Sequence, residues 1–285
     1  MLGFSFDGIH CGSFGIIMRS KNRPVLPEPK RVIEEIPARH GVYDFSAANP
    51  YGRVMYNQRE VSVECRVVCK SVEDLRQTAR QIAQWLSCGE ARLIFDDEPF
   101  VYYLASVANR IDLEQQVGKV GGFTLLFDCR PFAYSTICSG IVPAYGEEIS
   151  YGDRSQYGGY NIFTATNDGV LPCYDPEVVL FGEVIDEFTF NVQNLGTYVK
   201  PKIEIEGIFD NLRIISREMF LQLPAEAYGS LLIDCENRKA ILNENNIVNL
   251  ISGTFLELAP GDNIMRITAD DLDCDIRFVF DYRYF

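Results

Sequence analysis

The chain has 285 residues, 47% of them hydrophobic and 23% charged, which leaves room for two domains with sizeable cores and argues against wholesale disorder. Its formal net charge of −14 lies in one half: residues 1–137 hold 16 basic and 16 acidic side chains, residues 138–285 hold 10 and 24. An acidic half without a basic counterpart disfavours sequence-independent binding to phosphate backbones and to an anionic membrane surface.

In chain order, Leu2 to Phe6 and Phe14 to Met18 read as short strands. Pro24, Pro27 and Pro29 follow within a few residues. They remove donors and favour extended backbone, so residues 20–57 read as a long loop of the kind that is functional or holds a partner. Residues 59–70 alternate cleanly, with Val61, Val63, Cys65 and Val67 on one face and Glu60, Ser62, Glu64 and Arg66 on the other. One helix is predicted at about 71–87. Ser71 is its N-cap, Asp74 completes a variant of the capping box, Val72, Leu75, Ala79, Ile82 and Leu86 share a face, and Gly89 stops it. Trp85 is placed at the edge of that face, with Arg76 and Arg80 outside it.

Strands are predicted at 92–95, 100–108 and 122–129, with Asp96 to Pro99 as a turn and Pro131 ending the first half. Residues 138–182 are rich in Gly, Tyr and Pro and read as an irregular segment. Strands resume at 185–192, 201–207, 230–235, 240–242, 253–258 and 263–267, with Pro260-Gly261-Asp262 as a turn. In the closing DIRFVFDYRYF, Ile276, Phe278, Phe280, Tyr282 and Tyr284 share one face. Short strands, turns and no helix in the second half indicate a β-sandwich.

Chemistry-bearing groups are sparse. Asp270, Asp271, Asp273 and Asp275 have oxygen-rich spacing, but the Gly and Glu of an EF-hand loop are missing, so they read as a solvated acidic turn before the last strand. The two histidines, His10 and His40, lie in or beside loops without a nucleophile elbow. Gly121-Gly122 precedes a strand and is no phosphate loop. Nine cysteines lack a C-x-x-C pair. Cys65 and Cys69 on one strand lie roughly 13 Å apart, too far to bridge. Reduced, buried thiols made in a cytoplasm are expected. MLGFSFDGIH lacks the basic and apolar runs of a signal peptide, and no membrane span is visible. Tyr145, Tyr151, Tyr157, Tyr160 and Tyr174, interleaved with Gly, suit a contact surface for protein or sugar. No catalytic residue, cofactor-binding residue or metal ligand is assigned.

Taken in order, the segments FSFDGIHCGSFGI (4–16), GVYDF (41–45), the strand from Glu60 to Cys69, SVEDLRQTARQIAQWL (71–86), ARLIFDDEPFVYYLA (91–105), GGFTLLFDCRPF (121–132), NLGTYVKPKIEIEG (194–207), LLID (231–234) and FLELAPGDNIMRI (255–267) resemble the siphophage distal tail protein family. The resemblance implies a mostly β fold. Residues 1–137 would be a ring-forming, sandwich-like β-domain with one helix and the extended loop 20–57. Residues 138–285 would be a galectin-like β-sandwich with the irregular segment 138–182. It implies a structural, non-enzymatic virion protein at the distal end of the tail, made in the host cytoplasm. There it would form a hexameric hub ring that joins the tail tube protein to the tail-associated fibre or lysin protein. Tape measure and receptor-binding proteins are further candidate partners, with DNA only in transit through the channel. A galectin sugar pocket uses His, Asn, Arg and Trp, and no His or Trp occurs after residue 137. The alternative reading is a carbohydrate-binding host-surface adhesin working through the second sandwich or the tyrosine-rich segment. A cell-wall hydrolase is a third, although no carboxylate pair is singled out by spacing.

Overall fold

The computed structural model describes residues 3–38, 40–49, 52–109, 114–117, 120–139, 162–172, 184–186 and 188–285. The chain divides into two compact units, Met1–Tyr134 together with Phe285, and Ser135–Tyr284. The sequence reading divides it at 137/138.

The first unit contains β1 (Phe4–Phe6), β2 (Ile9–His10), β3 (Ile16–Asn22), β4 (Ile33–Glu34), β5 (Tyr43–Asp44), β6 (Arg59–Val68), α1 (Val72–Leu86), β7 (Ala91–Phe95), β8 (Val101–Val107) and β9 (Glu114–Val117). β10 (Val120–Ser139) runs on from it. Their antiparallel order is β2-β1-β7-β8-β10-β6-β3, with β9 also on β10. The β6–β10 ladder runs in unbroken register from Val68↔Val120 to Arg59↔Cys129. Pro131 does not end β10: the strand continues through it, because proline falls beyond the last β6 rung and removes no donor from that ladder. Between β2 and β3 the expected strand is preceded by a 3-10 turn, Cys11–Phe14, which closes on Gly15 at φ +67, a conformation natural to glycine.

Helix α1 starts as its sequence dictates. The Ser71 hydroxyl accepts from Asp74 N–H at 3.1 Å, and the Asp74 carboxylate accepts from Lys70 N–H at 3.0 Å, one residue further back than in a capping box. Ser87 is its C-cap, with Gly89 beyond in the left-handed region at φ +85. Trp85 does not sit at the edge. It lies in the centre of the core, 4.8 Å from Phe14 and 5.9 Å from Phe4 by ring centroids, and its indole N–H donates to Phe6 O at 2.9 Å. That bond satisfies the polar tip, so the whole indole can be buried. Phe127 and Phe95 complete an aromatic core with the inward valines of β6. Arg59 is buried too, donating to Pro131 O at 3.0 Å with its guanidinium 5.5 Å from the Tyr103 ring.

The second unit is a sandwich of two antiparallel sheets. One holds β11 (Ile162–Thr166), β12 (Gly169–Pro172), β15 (Lys202–Asp210), β18 (Ala227–Asp234), β19 (Lys239–Leu242), β20 (Asn245–Asn246) and β23 (Asp271–Tyr284), in the order β12-β11-β23-β15-β18-β19-β20. The other holds β13 (Val184–Asp186), β14 (Thr189–Asn194), β16 (Leu212–Ser216), β17 (Met219–Leu223), β21 (Ser252–Gly253) and β22 (Gly261–Thr268), in the order β13-β14-β22-β16-β17-β21. Between them Phe163, Phe190 and Phe278 meet Ile203, Ile205, Leu231, Ile214 and Met265, with Phe163 and Phe190 4.2 Å apart.

Three expectations for this unit are corrected. Residues 138–182 contain a hairpin, β11–β12, turned at Asn167 and Asp168. The strand expected over 253–258 is reduced to β21 and a bridge from Val199 to Leu258. Residues 212–223, given no strand in the sequence reading, form the β16–β17 hairpin, turned by Arg217 at φ +54, where neither Gly nor Pro marks the turn.

Candidate functional site: an apolar arm on the first unit

The loop between β3 and β6 is more ordered than proline density alone implies. Its two ends run side by side: Pro29 bridges Tyr56, Lys30 N–H donates to Met55 O at 2.7 Å, and Asn57 N–H to Glu28 O at 2.8 Å. β4 and β5 pair through Ile33↔Asp44 and Glu34↔Tyr43. Val32 N–H donates to the Ser46 hydroxyl at 2.9 Å, and Phe45 N–H to Val32 O at 2.8 Å. The Asp44 carboxylate accepts from Ser46, whose hydroxyl and amide hold it below the ordinary carboxylate range.

This ordered backbone leaves its apolar side chains outside. Val25 is 85% exposed and Leu26 56%, and Val32, Ile33, Ile36, Val42 and Phe45 are exposed as well. Seven large apolar side chains within one short stretch exceed the scattered exposure normal on a surface. Backbone order with unburied side chains describes a segment made to pack against something else.

Ion pairs fasten the arm's root to the β7–β8 turn. Lys21 pairs with Asp97, and Arg23 Nη1 lies 2.6 Å from Glu98 Oε2. Lys21 and Arg23 also lie over the Phe95 ring at 4.8 and 5.6 Å. Desolvation pushes the Asp97 carboxyl up. The hydrogen bond from Lys21 and the charges of Lys21 and Arg23 outweigh it, and the carboxyl stays below its ordinary value. His10 joins the same turn: Nε2 lies 3.3 Å from Asp96, and Nδ1 accepts from Gly12 N–H at 3.1 Å. Because Nδ1 accepts, the proton is on Nε2, pointing at the carboxylate.

The groups singled out from sequence are not brought together into a reaction centre. His40 is exposed on the arm, while His10 holds a turn. Gly121 and Gly122 lie in the β10 ladder opposite Val67 and Arg66. The four aspartates are not a turn: Asp271, Asp273 and Asp275 alternate along β23 itself, with Asp270 just before it. Among the described residues no group of His, Cys, Asp and Glu is arranged to hold a metal ion. Tyr145, Tyr151, Tyr157, Tyr160 and Tyr174 lie outside the described residues. Cys11, Cys65, Cys69, Cys88, Cys129, Cys235 and Cys274 are free. Burial pushes the Cys65, Cys129, Cys235 and Cys274 thiols up to about 12. Cys88, against expectation, is exposed. The arm's apolar surface is absent from the sequence expectations, although its signal is present: aliphatic residues among the prolines with neither helical nor strand period.

Comparison with known proteins follows the same division. Residues 9–129 match a family model described as a phage tail protein RIFT-related domain, and residues 187–284 match the C-terminal domain of the siphovirus-type tail component. Among solved structures the chain is similar to the Dit (gp 19.1) protein of phage SPP1, at 14% identity and a TM-score of 0.70, over 100% of both chains. That structure is described as a paradigm of the hub adsorption apparatus in phages that infect Gram-positive bacteria. No curated protein matches the sequence.

Proposed function

Because the chain belongs to the distal tail proteins of siphophages, we propose that it closes into a hexameric ring at the tail tip. The ring joins the tail tube to the fibre or lysin protein and carries host-recognition proteins. The tape measure protein is a further partner, and DNA meets the ring only in transit through its channel. The role is that of the SPP1 protein, a hub of the adsorption apparatus, and it involves no catalysis.

The arm is the observation that carries this reading. A ring is a head-to-tail interface that closes on itself, so each copy must offer one surface and receive another. An arm with an ordered backbone and exposed Val25, Leu26 and Ile36 loses little conformational entropy when it lies across a neighbour. The aliphatic surface gained on docking stabilises the contact at about 25 cal/mol per Å² before the costs of association.

Native mass spectrometry of the full chain tests it. A six-subunit species is expected, and a monomer at micromolar concentration overturns the ring. In the triple variant V25S/L26S/I36S the ring is expected to dissociate. The monomer should keep its thermal midpoint, since exposed substitutions usually change stability by less than about 0.5 kcal/mol. If the ring persists in that variant, the arm is not the interface.

A further inference from the structure

The outer face of the β12-β11-β23-β15-β18 sheet carries an exposed tyrosine set among acids that form no ion pair with the described residues. Register places the side chains in rows. Tyr228, Ile208, Asp273 and Thr166 lie across one row. Ser230, Glu206, Asp275 and Thr164 lie across the next, and Asp210 faces Asp271 at the end. Tyr228 is 74% exposed and Ile208 40%.

Two of these cross-strand pairs, Glu206–Asp275 and Asp210–Asp271, set like charges directly opposite each other, which destabilises a sheet. Glu204, one row further, faces Arg277 and is balanced. Asp275 and Asp271 accept from Thr164 Oγ1 at 2.7 Å and Asn167 Nδ2 at 2.8 Å, neutral donors that leave the charge in place. The backbone beneath is shaped for the row: Gly207 and Gly229 face each other, and a Cβ on Gly207 would stand 2.3 Å from Asp273 O. An aromatic anchor within acids is the composition of an interaction centre, and its charge specifies a cationic counterpart.

We propose that this face docks a partner protein segment with lysine or arginine flanking an apolar residue, which seats on Tyr228 and Ile208. The site lies wholly within the second unit and stands whether or not the chain forms a ring.

The test uses the full chain and two fluorescent twelve-residue peptides of equal charge, alternating Lys-Leu and alternating Lys-Gly, read by anisotropy at low salt. Lys-Leu is expected to bind at least five-fold more tightly than Lys-Gly. Tyr228→Ala should remove that preference, and Glu206→Lys should weaken both peptides at least five-fold. The latter turns a like-charged pair into an ion pair with Asp275, so its thermal midpoint should equal or exceed the parent's, which separates lost binding from lost fold. The control Glu218→Lys, an exposed acid in the β16–β17 turn of the other sheet, should weaken binding less than two-fold. Equal binding of the two peptides, or a control as damaging as Glu206→Lys, overturns the proposal. So does self-association by sedimentation that Glu206→Lys abolishes, because the occupant would then be a second copy.

Discussion

The two units place their apolar residues differently. The second buries most of its described aliphatic residues between two sheets, in a core where Ile203, Ile205, Leu231, Ile233 and Ile276 are inaccessible to solvent. The first builds its centre from rings, with Phe4, Phe6, Phe14, Phe95 and Phe127 gathered at or around Trp85, and spends aliphatics on an arm that buries none of them fully. Few large rings fill a volume that would take many aliphatic chains, because each buries about 150–250 Å². The contrast teaches that a unit can stay stable while its aliphatic surface is kept for a partner.

The contrast is sharpest at Trp85. Trp85→Ala removes two stacked ring contacts and the bond to Phe6 O, and is expected to destabilise the first unit by about 3–5 kcal/mol. Hydrogen exchange read at β6 and at β15 checks it: amides of β6 should lose protection while those of β15 keep theirs. Equal loss in both would mean that one cooperative unit, not two, responds.

In the second unit the polar counterpart is Asn263, fully buried. It donates to Val192 O, Ala259 O and Gly261 O, and accepts from Ala259 N–H at 2.8 Å. Asn263→Ala strands those backbone groups and should cost about 1–3 kcal/mol by urea denaturation. A smaller loss would show that the β14–β22 end holds itself without its side-chain bracket.

Ser71→Ala removes a helix cap in the first unit and should cost about 1 kcal/mol, measured the same way. The smallest effect lies at Asp234. Desolvation raises its carboxyl, but the side chain and amide of Asn237, the charge of Lys202 and the amide of Glu236 outweigh this and hold it below its ordinary value. Such a group contributes stability above the unfolded value of about 3.9, lost as pH falls through the lower folded value. Asp234→Asn should therefore flatten the acid limb of a stability–pH curve below about pH 4 and change its slope little near neutrality. An unchanged acid limb would remove Asp234 from the account.

Where a rule is local, these elements were legible from residues alone. Val61 to Val67 announce a half-buried strand by period, and Ser71 with Leu75, Ile82 and Leu86 announces a capped amphipathic helix. Illegible features depend on long-range register. Nothing near Trp85 in sequence says that Phe4 and Phe14 will enclose it. The opposition of Glu206 to Asp275 requires knowing that β15 and β23, 69 residues apart at their starts, are neighbours. Arg217 turns a hairpin at positive φ without a turn residue to signal it, and the aspartates of β23 look like a loop until the strand beneath them is seen.

Trp85 has one more consequence. It is the single tryptophan of the chain and sits entirely inside the first unit's core. The native protein therefore contains its own optical label, whose emission reports on the ring-stacked centre of one unit and is blind to the sandwich of the other. Events at the arm's root, a few residues from Phe14 in the chain, have a natural spectroscopic witness, and events at Tyr228 have none.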